Sequence, residues 1–232
     1  MSKRTVFVFV EGISDKQALE GVLSNYFNDR NLYIHVEGGD ITTKISPLSD
    51  RSTILRIIGE RIEKYMSLYG IPKKNIVQII HIVDTDGAYI DDSNIIEDHQ
   101  ALNPVYTEEN IRTASPDTIS KRNRQKRGCL DKLQATCELW KIPYRVYYMS
   151  CNLDHVLYGT INLNRKDKLM KAFSFAKKYM NNLDGFLEFI NSPVIKAADD
   201  YSESWNYIRE GRHSLFRCSN LALCFVPGGE NV

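Results

Sequence analysis

The chain has 232 residues, 43% hydrophobic and 25% charged, which is typical of a soluble globular protein with one domain, or one domain and an appendage. Its net charge of +1 excludes a protein that binds nucleic acid through overall charge, so such binding must come from local patches. No apolar run reaches the roughly 20 residues that cross a bilayer. The five cysteines show no paired metal-ligand spacing. We therefore expect a cytoplasmic protein with reduced thiols, no signal peptide and no membrane partner.

The first half of the chain alternates apolar strands with helices. The apolar run 6–10 predicts a strand buried on both faces, and a helix with its apolar residues on one stripe follows. Residues 32–36 predict a second strand, 41–50 a polar loop, 52–70 a helix and 76–83 a third strand. This β-α-β-α-β order predicts an α/β fold with a mostly parallel central sheet and helices on both faces.

The chain changes character after the third strand. Residues 87–119 are acidic and interrupted by prolines, so we predict an irregular insertion near the mouth of a site. Ser120 predicts the cap of a helix that continues to Trp140. Residues 144–149 predict a fourth strand, and the remainder is predicted to be mainly helical, with 221–226 as a last strand.

Two of the apolar strands end on carboxylates. Glu11 follows the first strand, and Asp84 and Asp86 follow the third. Chemistry collects at the carboxyl ends of parallel strands, and alternate residues of an extended chain point to one side, so the three carboxylates can face one point. Such hard oxygen ligands suit Mg²⁺ or Mn²⁺, which activates water and stabilises a transferring phosphoryl group. The open alternative is a solvated Asp-rich turn, with Glu11 only capping a helix.

Two short motifs at these strand ends resemble those of the TOPRIM domain: Glu11-Gly12 with Ser14-Asp15, and Asp84-Thr85-Asp86. That domain occurs in topoisomerases, primases, RNase M5-type enzymes and overcoming-lysogenization-defect (OLD) nucleases, and the resemblance covers roughly residues 4–157. It implies a TOPRIM-like fold, Glu11 as general acid/base or metal ligand, and Asp84 and Asp86 as Mg²⁺ ligands. Where many members carry a third aspartate this chain has Ala88, which weakens the topoisomerase interpretation.

A segment after the fourth strand, residues 150–157, resembles the extra motif of RloB-like and related TOPRIM effectors, which accompany ATPases in bacterial anti-phage systems. It implies that Asp154 is a further catalytic metal ligand; the alternative is an ordinary acid in the first turn of a helix. The implied domains are a TOPRIM-like domain over 1–159, with the insertion at about 87–128, and a mainly helical extension over 160–232 packed on it. Because the sequence has no phosphate-binding Gly-x-x-x-x-Gly-Lys-Ser/Thr loop, any ATP dependence must come from a partner ATPase.

Five basic residues in seven lie in the helix predicted after the insertion: Lys121, Arg122, Arg124, Lys126 and Arg127. Because these charges spread around the helix, we interpret them as nucleic-acid-binding residues. The alternatives are an exposed helix end and a docking surface for an acidic partner. His155, beside Asp154, is a candidate for proton transfer or only a hydrogen-bonding residue, and His81 lies inside a strand as a structural residue.

Together these features predict a Mg²⁺- or Mn²⁺-dependent nuclease. By resemblance it would cleave the phosphodiesters of RNA, such as tRNA, or of DNA, as a toxic effector of anti-phage defence under the control of a partner ATPase. A homodimer is compatible with the sequence. The alternative function is a non-catalytic nucleic-acid-binding or interaction module with a TOPRIM fold. The intact Glu11, Asp84 and Asp86 favour the nuclease, because a binding module has no need to gather acids where a phosphate would lie.

Overall fold

A computed structural model describes residues 4–30, 32–39 and 52–225. The strands in these ranges are β1 (Thr5–Val10), β2 (Tyr33–Gly38), β3 (Ile76–Asp84), β4 (Ile95–Glu97), β5 (Val105–Tyr106), β6 (Ile111–Thr113), β7 (Glu138–Leu139) and β8 (Ile142–Met149). The α-helices in them are α1 (Ile13–Asn28), α2 (Ser52–Tyr69), α3 (Pro116–Gln134), α4 (Leu153–Tyr158), α5 (Arg165–Tyr179), α6 (Leu183–Ile190) and α7 (Tyr201–Arg209). No helix within the described ranges is long and apolar enough to cross a membrane.

The central sheet has the strand order β2-β1-β3-β8-β7. Its first four strands are parallel, and the short β7 pairs antiparallel with β8. The predicted α/β fold with a mostly parallel sheet is therefore confirmed. Because β1 and β3 are parallel neighbours, paired from Val6 with Gln78 to Phe9 with His81, their carboxyl ends open on the same edge of the sheet.

Helices cover both faces of this sheet, which explains the continuous apolar run of β1. Val6 and Val8 belong to a core on one face, shared with residues of α1, α5 and α6. Phe7 and Phe9 point to the opposite face and pack in a second core with residues of α2, α3 and α7. Successive strand residues alternate between faces, so a strand buried on both sides is apolar at most of its positions. The predicted placement of helices on both faces is confirmed.

The helix after the insertion does not have its predicted bounds of 120–140. It begins at Pro116, with Ser115 as the N-cap residue, and ends at Gln134. Proline suits the first turn because its missing N–H has no partner there in any helix. Beyond Ala135 the chain returns as β7, which pairs with β8. The predicted boundary of the insertion, near residue 128, therefore falls inside α3.

Two other predicted segments differ from the structure. The region predicted to be irregular contains β4, β5 and β6, which form a small sheet with the order β4-β6-β5. The segment predicted as a last strand, 221–226, forms a 3-10 turn over Leu221–Phe225, whose residues are all buried. A short buried apolar run fits either conformation, so its sequence does not discriminate between them. The predicted loop at 41–50 lies outside the described residues.

The region after residue 160 is mainly helical in its described part and packs on the sheet. α5 packs against α1, and Trp205 of α7 is fully buried in the second core. Ser219 Oγ donates a hydrogen bond to the Tyr148 carbonyl at 2.7 Å, and Tyr148 N–H donates one to Asn220 Oδ1 at 2.8 Å. These bonds satisfy buried polar groups and fix the segment after α7 beside β8.

Candidate active site

Carboxylates from four segments meet at the carboxyl edge of the sheet. Glu11 follows β1, Asp84 ends β3, Asp86 lies in the turn after β3, and Asp154 lies in the first turn of α4. The structure therefore brings together the four acids predicted for the site. It adds Asp15, in the first turn of α1, whose pKa is raised by burial and by the nearby charge of Asp154.

Asp84 is an acid whose ionised form is strongly disfavoured. Its Oδ1 accepts a hydrogen bond from the Leu153 N–H at 2.9 Å, which joins the end of β3 to the start of α4. Burial raises the pKa of Asp84 well above its ordinary value, and the charges of Glu11, Asp15 and Asp86 raise it further. The positive charges nearby do not fully balance the Asp84 carboxylate, so a bound cation would stabilise its ionised form.

Asp86 reaches the site through a turn and not through an extended strand. Its φ is 48°, in the left-handed region that aspartate tolerates better than most residues, and Gly87 follows with a φ of 66°. The expectation that Asp84 and Asp86 share a side by strand alternation is therefore wrong, because β3 ends at Asp84. The two carboxylates remain neighbours: the charge of Asp86 helps to raise the pKa of Asp84, and Asp86 also forms an ion pair with Lys126.

Lys126 of α3 lies between Glu11 and Asp86. Its Nζ is 3.5 Å from both carboxylate oxygens of Glu11, and it donates a hydrogen bond to Asp86 Oδ2. Only 1% of the Lys126 side chain is exposed. Burial alone would lower the pKa of Lys126, but Asp86, Glu11 and Asp84 outweigh burial and raise it, so the ammonium stays charged. For Asp86 the effects are reversed: burial alone would raise its pKa, but the positive charges of Lys126 and Arg122 outweigh burial and lower it.

Asp154 pairs with a second lysine. Its Oδ2 lies 2.7 Å from Nζ of Lys168, which α5 contributes, and 4% of the Asp154 side chain is exposed. Its Oδ1 is buried and has no hydrogen-bond partner among the described residues. A buried carboxylate oxygen without a partner is costly, which makes it a candidate ligand for a cation. Asp15, by contrast, uses its oxygens within α1, accepting from Gly12 N–H at 2.8 Å and Ser14 Oγ at 3.2 Å.

The five basic residues predicted to bind nucleic acid have three different environments. Lys121 and Arg124 are exposed. Arg122 donates to the Asp86 carbonyl at 2.8 Å, and Arg127 donates to the carbonyl of Ala88 at 2.9 Å, so both fix the turn after β3. Lys126 differs from both groups, because its ammonium is buried among the carboxylates and not exposed to a phosphate in solution. Nucleic-acid binding by the five residues stays a prediction, and Lys121 and Arg124 are the two whose side chains are exposed.

Burial keeps both His155, the candidate for proton transfer, and His81, the structural histidine, uncharged near pH 7. Burial and Arg217 lower the pKa of His155 to about 4, and its Nε2 lies 3.6 Å from Glu108. Burial lowers the pKa of His81 to about 3, and its Nδ1 is 2.9 Å from the Tyr144 hydroxyl. His81 therefore has the structural environment predicted for it, whereas proton transfer by His155 stays a prediction.

The donor set suits a hard divalent cation. Two lysines, Lys126 and Lys168, pair with these five carboxyl groups, and the pKa of Asp84 is still raised. Carboxylate oxygens are the ligands that Mg²⁺ and Mn²⁺ prefer, and the unpartnered Oδ1 of Asp154 is of this kind. Within the described ranges, no group of three or more His, Cys, Asp or Glu residues is already arranged around a metal position.

Asp15 and the two lysines were missed at the sequence level for different reasons. Asp15 stands inside the first motif, but its type and place are those of an ordinary helix-capping acid. Lys126 was one of five neighbouring basic residues, and nothing local distinguishes it from the others. Lys168 lies in a helix with no motif, and only the packing of α5 on α1 brings it to the acids.

Comparisons with protein-family models, with curated proteins and with solved structures found no match to this chain. The resemblance to TOPRIM proteins therefore stays a prediction that rests on the motifs quoted above.

Proposed function

We propose that the chain is a metal-dependent nuclease of the TOPRIM type, which hydrolyses phosphodiesters in RNA, such as tRNA, or in DNA. The observation that carries this proposal is the convergence of Glu11, Asp84, Asp86 and Asp154 at the carboxyl edge of the sheet. Gathering like charges in a partly buried place is unfavourable unless a cation uses them, and strongly shifted pKa values are typical of functional sites.

Asp84, Asp86 and Asp154 are the residues that would hold Mg²⁺ or Mn²⁺. The ion would supply positive charge that activates water and stabilises the negative charge on a phosphoryl group. Asp84 is suited to this role because its negative charge is not fully balanced by nearby positive groups. Asp154 is suited to it because its buried Oδ1 has no hydrogen-bond partner in the described structure. Arg122 and Arg127 donate hydrogen bonds to backbone carbonyls of the turn after β3, and this turn holds Asp86 beside Asp84 and Asp154.

Glu11 is the residue we assign as general base. Its side chain is 10% exposed, so it can meet a water molecule at the edge of the site. In this role the carboxylate accepts the proton that the attacking water loses. Lys126 keeps Glu11 oriented and places a fixed positive charge where negative charge develops, without a cost of reorganisation during the reaction.

Lys126 also favours a second candidate function, the non-catalytic binding or interaction module. Its ammonium already occupies the space between Glu11 and Asp86, so these two acids can be satisfied without a metal ion. This candidate predicts nucleic-acid binding that neither requires a divalent cation nor leads to cleavage. The role of a toxic anti-phage effector under a partner ATPase is proposed on the motif resemblance alone.

The test is a cleavage assay on the purified protein with plasmid, genomic DNA and total RNA, in Mg²⁺, Mn²⁺ or EDTA. We expect cleavage with a divalent cation and none in EDTA. Glu11→Gln should reduce the rate by about 10²–10⁴-fold, the usual contribution of a general base. Glu188→Gln, an exposed glutamate of α6, serves as the matched control and should cleave like the wild type. Cleavage in EDTA, or full activity of Glu11→Gln, would overturn the proposal.

A further inference from the structure

A cleft of about 310 Å³ lies next to the carboxylates, between the N-terminal ends of α1 and α5. It is lined by Ile13, Ser14, Arg165, Lys168 and Leu169. The cleft and the acids are directly connected, because Lys168 lines the cleft and also pairs with Asp154 at 2.7 Å. A molecule in the cleft would therefore touch the same lysine that contacts the candidate metal ligands.

The polar lining of the cleft is cationic. Arg165 is exposed, and within the described structure no hydrogen bond or ion pair engages it. Lys168 follows three residues later on the same face of α5, so the Arg165 guanidinium lies beside an ammonium that pairs with Asp154. The N-terminal ends of two helices, of 16 and 15 residues, add positive potential at this place. Each of these features favours an anion.

The remaining lining is apolar and exposed. Ile13 is 76% exposed and Leu169 is 40% exposed, although both are large hydrophobic residues. They flank the two cations, so the cleft offers an apolar wall beside a positively charged one. A nucleotide has the matching parts, since its phosphate is anionic and its sugar and base have apolar faces.

We propose that this cleft is a substrate subsite, which binds a phosphate of the nucleic acid adjacent to the phosphate that is cleaved. Arg165 and Lys168 contact its oxygens, and Ile13 and Leu169 contact the attached nucleoside. A polyanion is repelled by five carboxylates, so it needs a cationic surface immediately beside them, and the structure has one there. The inference rests on the proposed nuclease function and adds to it where the substrate strand lies.

Arg165→Glu tests the subsite, with Lys166→Glu as the matched control. Lys166 is exposed on the same helix and does not line the cleft. Each variant replaces one positive charge by one negative charge, so the two change the net charge by the same amount. The probes are fluorescein-labelled DNA and RNA strands of about 20 nucleotides. Their binding is measured by fluorescence anisotropy in Mg²⁺ across a salt series. All variants are made in a Glu11→Gln background, which is expected to suppress cleavage.

We expect Arg165→Glu to weaken binding about tenfold or more and to reduce the salt slope by about one, as the loss of one phosphate contact should. Lys166→Glu should stay within about twofold of the parent, and Arg165→Lys should restore most of the affinity because the positive charge returns. Equal losses in Arg165→Glu and Lys166→Glu, or no loss in either, would overturn the subsite. Thermal melts check that both variants fold, as substitutions of exposed residues normally do.

Cleavage kinetics separate a failure of this inference from a failure of the proposed function. With an active Glu11, Arg165→Glu should raise KM and leave kcat largely unchanged, because the subsite binds the strand away from the reacting atoms. If the wild type cleaves and Arg165→Glu has the wild-type KM, the subsite is wrong and the nuclease stands. If the wild type neither binds nor cleaves these substrates, the nuclease proposal and the subsite are both overturned.

Discussion

Lys126 is the residue whose replacement should have the largest effect on the candidate site. Lys126→Met keeps a long side chain in the buried space but removes the ammonium that contacts Glu11 and Asp86. Because the lysine side chain is 1% exposed, water does not replace the lost charge. Removing one partner of a buried ion pair costs about 3–5 kcal/mol, since it leaves the other charge uncompensated. We expect a loss of that size in metal-free buffer.

Thermal unfolding in EDTA measures this loss. For a chain of this size, about 3–5 kcal/mol corresponds to a decrease in Tm of roughly 6–20 °C. Lys121→Met is the control, because Lys121 lies on the same helix but is exposed, and its unfolding free energy should change by less than about 0.5 kcal/mol.

Added Mg²⁺ or Mn²⁺ gives the second part of this prediction. A divalent cation can replace the missing ammonium, so it should stabilise Lys126→Met more than it stabilises the wild type. Binding to the folded state at 100 times Kd contributes about 2.7 kcal/mol. Two results would refute the reasoning: a Lys126→Met protein as stable as the wild type in EDTA, or a metal-induced gain no larger than that of the wild type.

Asp84→Asn keeps the acceptor for the Leu153 N–H but removes a charge, so it should raise the metal-free Tm and abolish the gain from Mg²⁺; a lower Tm in EDTA would contradict this. Below the ordinary aspartate pKa of about 4, Asp84 is protonated in both states, whereas at higher pH the unfolded chain ionises first. The wild type should therefore lose stability relative to Asp84→Asn as pH rises from about 4 through the raised pKa of Asp84. If urea unfolding gave the two proteins parallel profiles of stability against pH, this prediction would be wrong. Arg127→Ala removes hydrogen bonds to Ala88 and Ile90, so urea unfolding should show a loss of about 1–3 kcal/mol; no loss would mean that the turn is held elsewhere.

The sheet and the acids at its edge could be predicted because their signals are local and strong. β1 and β3 are apolar at most of the positions that face a core, β1 is followed by Glu11, and β3 ends on Asp84. Parallel pairing of these strands then places Glu11 and Asp84 on one edge without further information. The turn at Asp86 was also readable, because Asp-Gly is a strong turn signal, but strand alternation was extended one step too far.

The roles of the basic residues could not be predicted in the same way. Lys121 and Lys126 stand in the same helix and differ in sequence only by position, yet one is exposed and the other is buried. That difference depends on how α3 lies against the carboxyl edge of the sheet, which is a long-range contact. Ser115 followed by Pro116, an N-cap residue and a first-turn proline, is the local signal for the start of α3, which the prediction of Ser120 as the cap places too late.

The central claim is that the carboxylates at the edge of the sheet hold a divalent cation. The most direct measurement is an anomalous difference map from crystals soaked in MnCl₂, with Asp84→Asn crystals as the control. We predict a manganese peak within bonding distance of Asp84, Asp86 and Asp154 in the wild type, and no peak there in Asp84→Asn. A wild-type map without a peak at these carboxylates, with Lys126 still seated between Glu11 and Asp86, would contradict the claim.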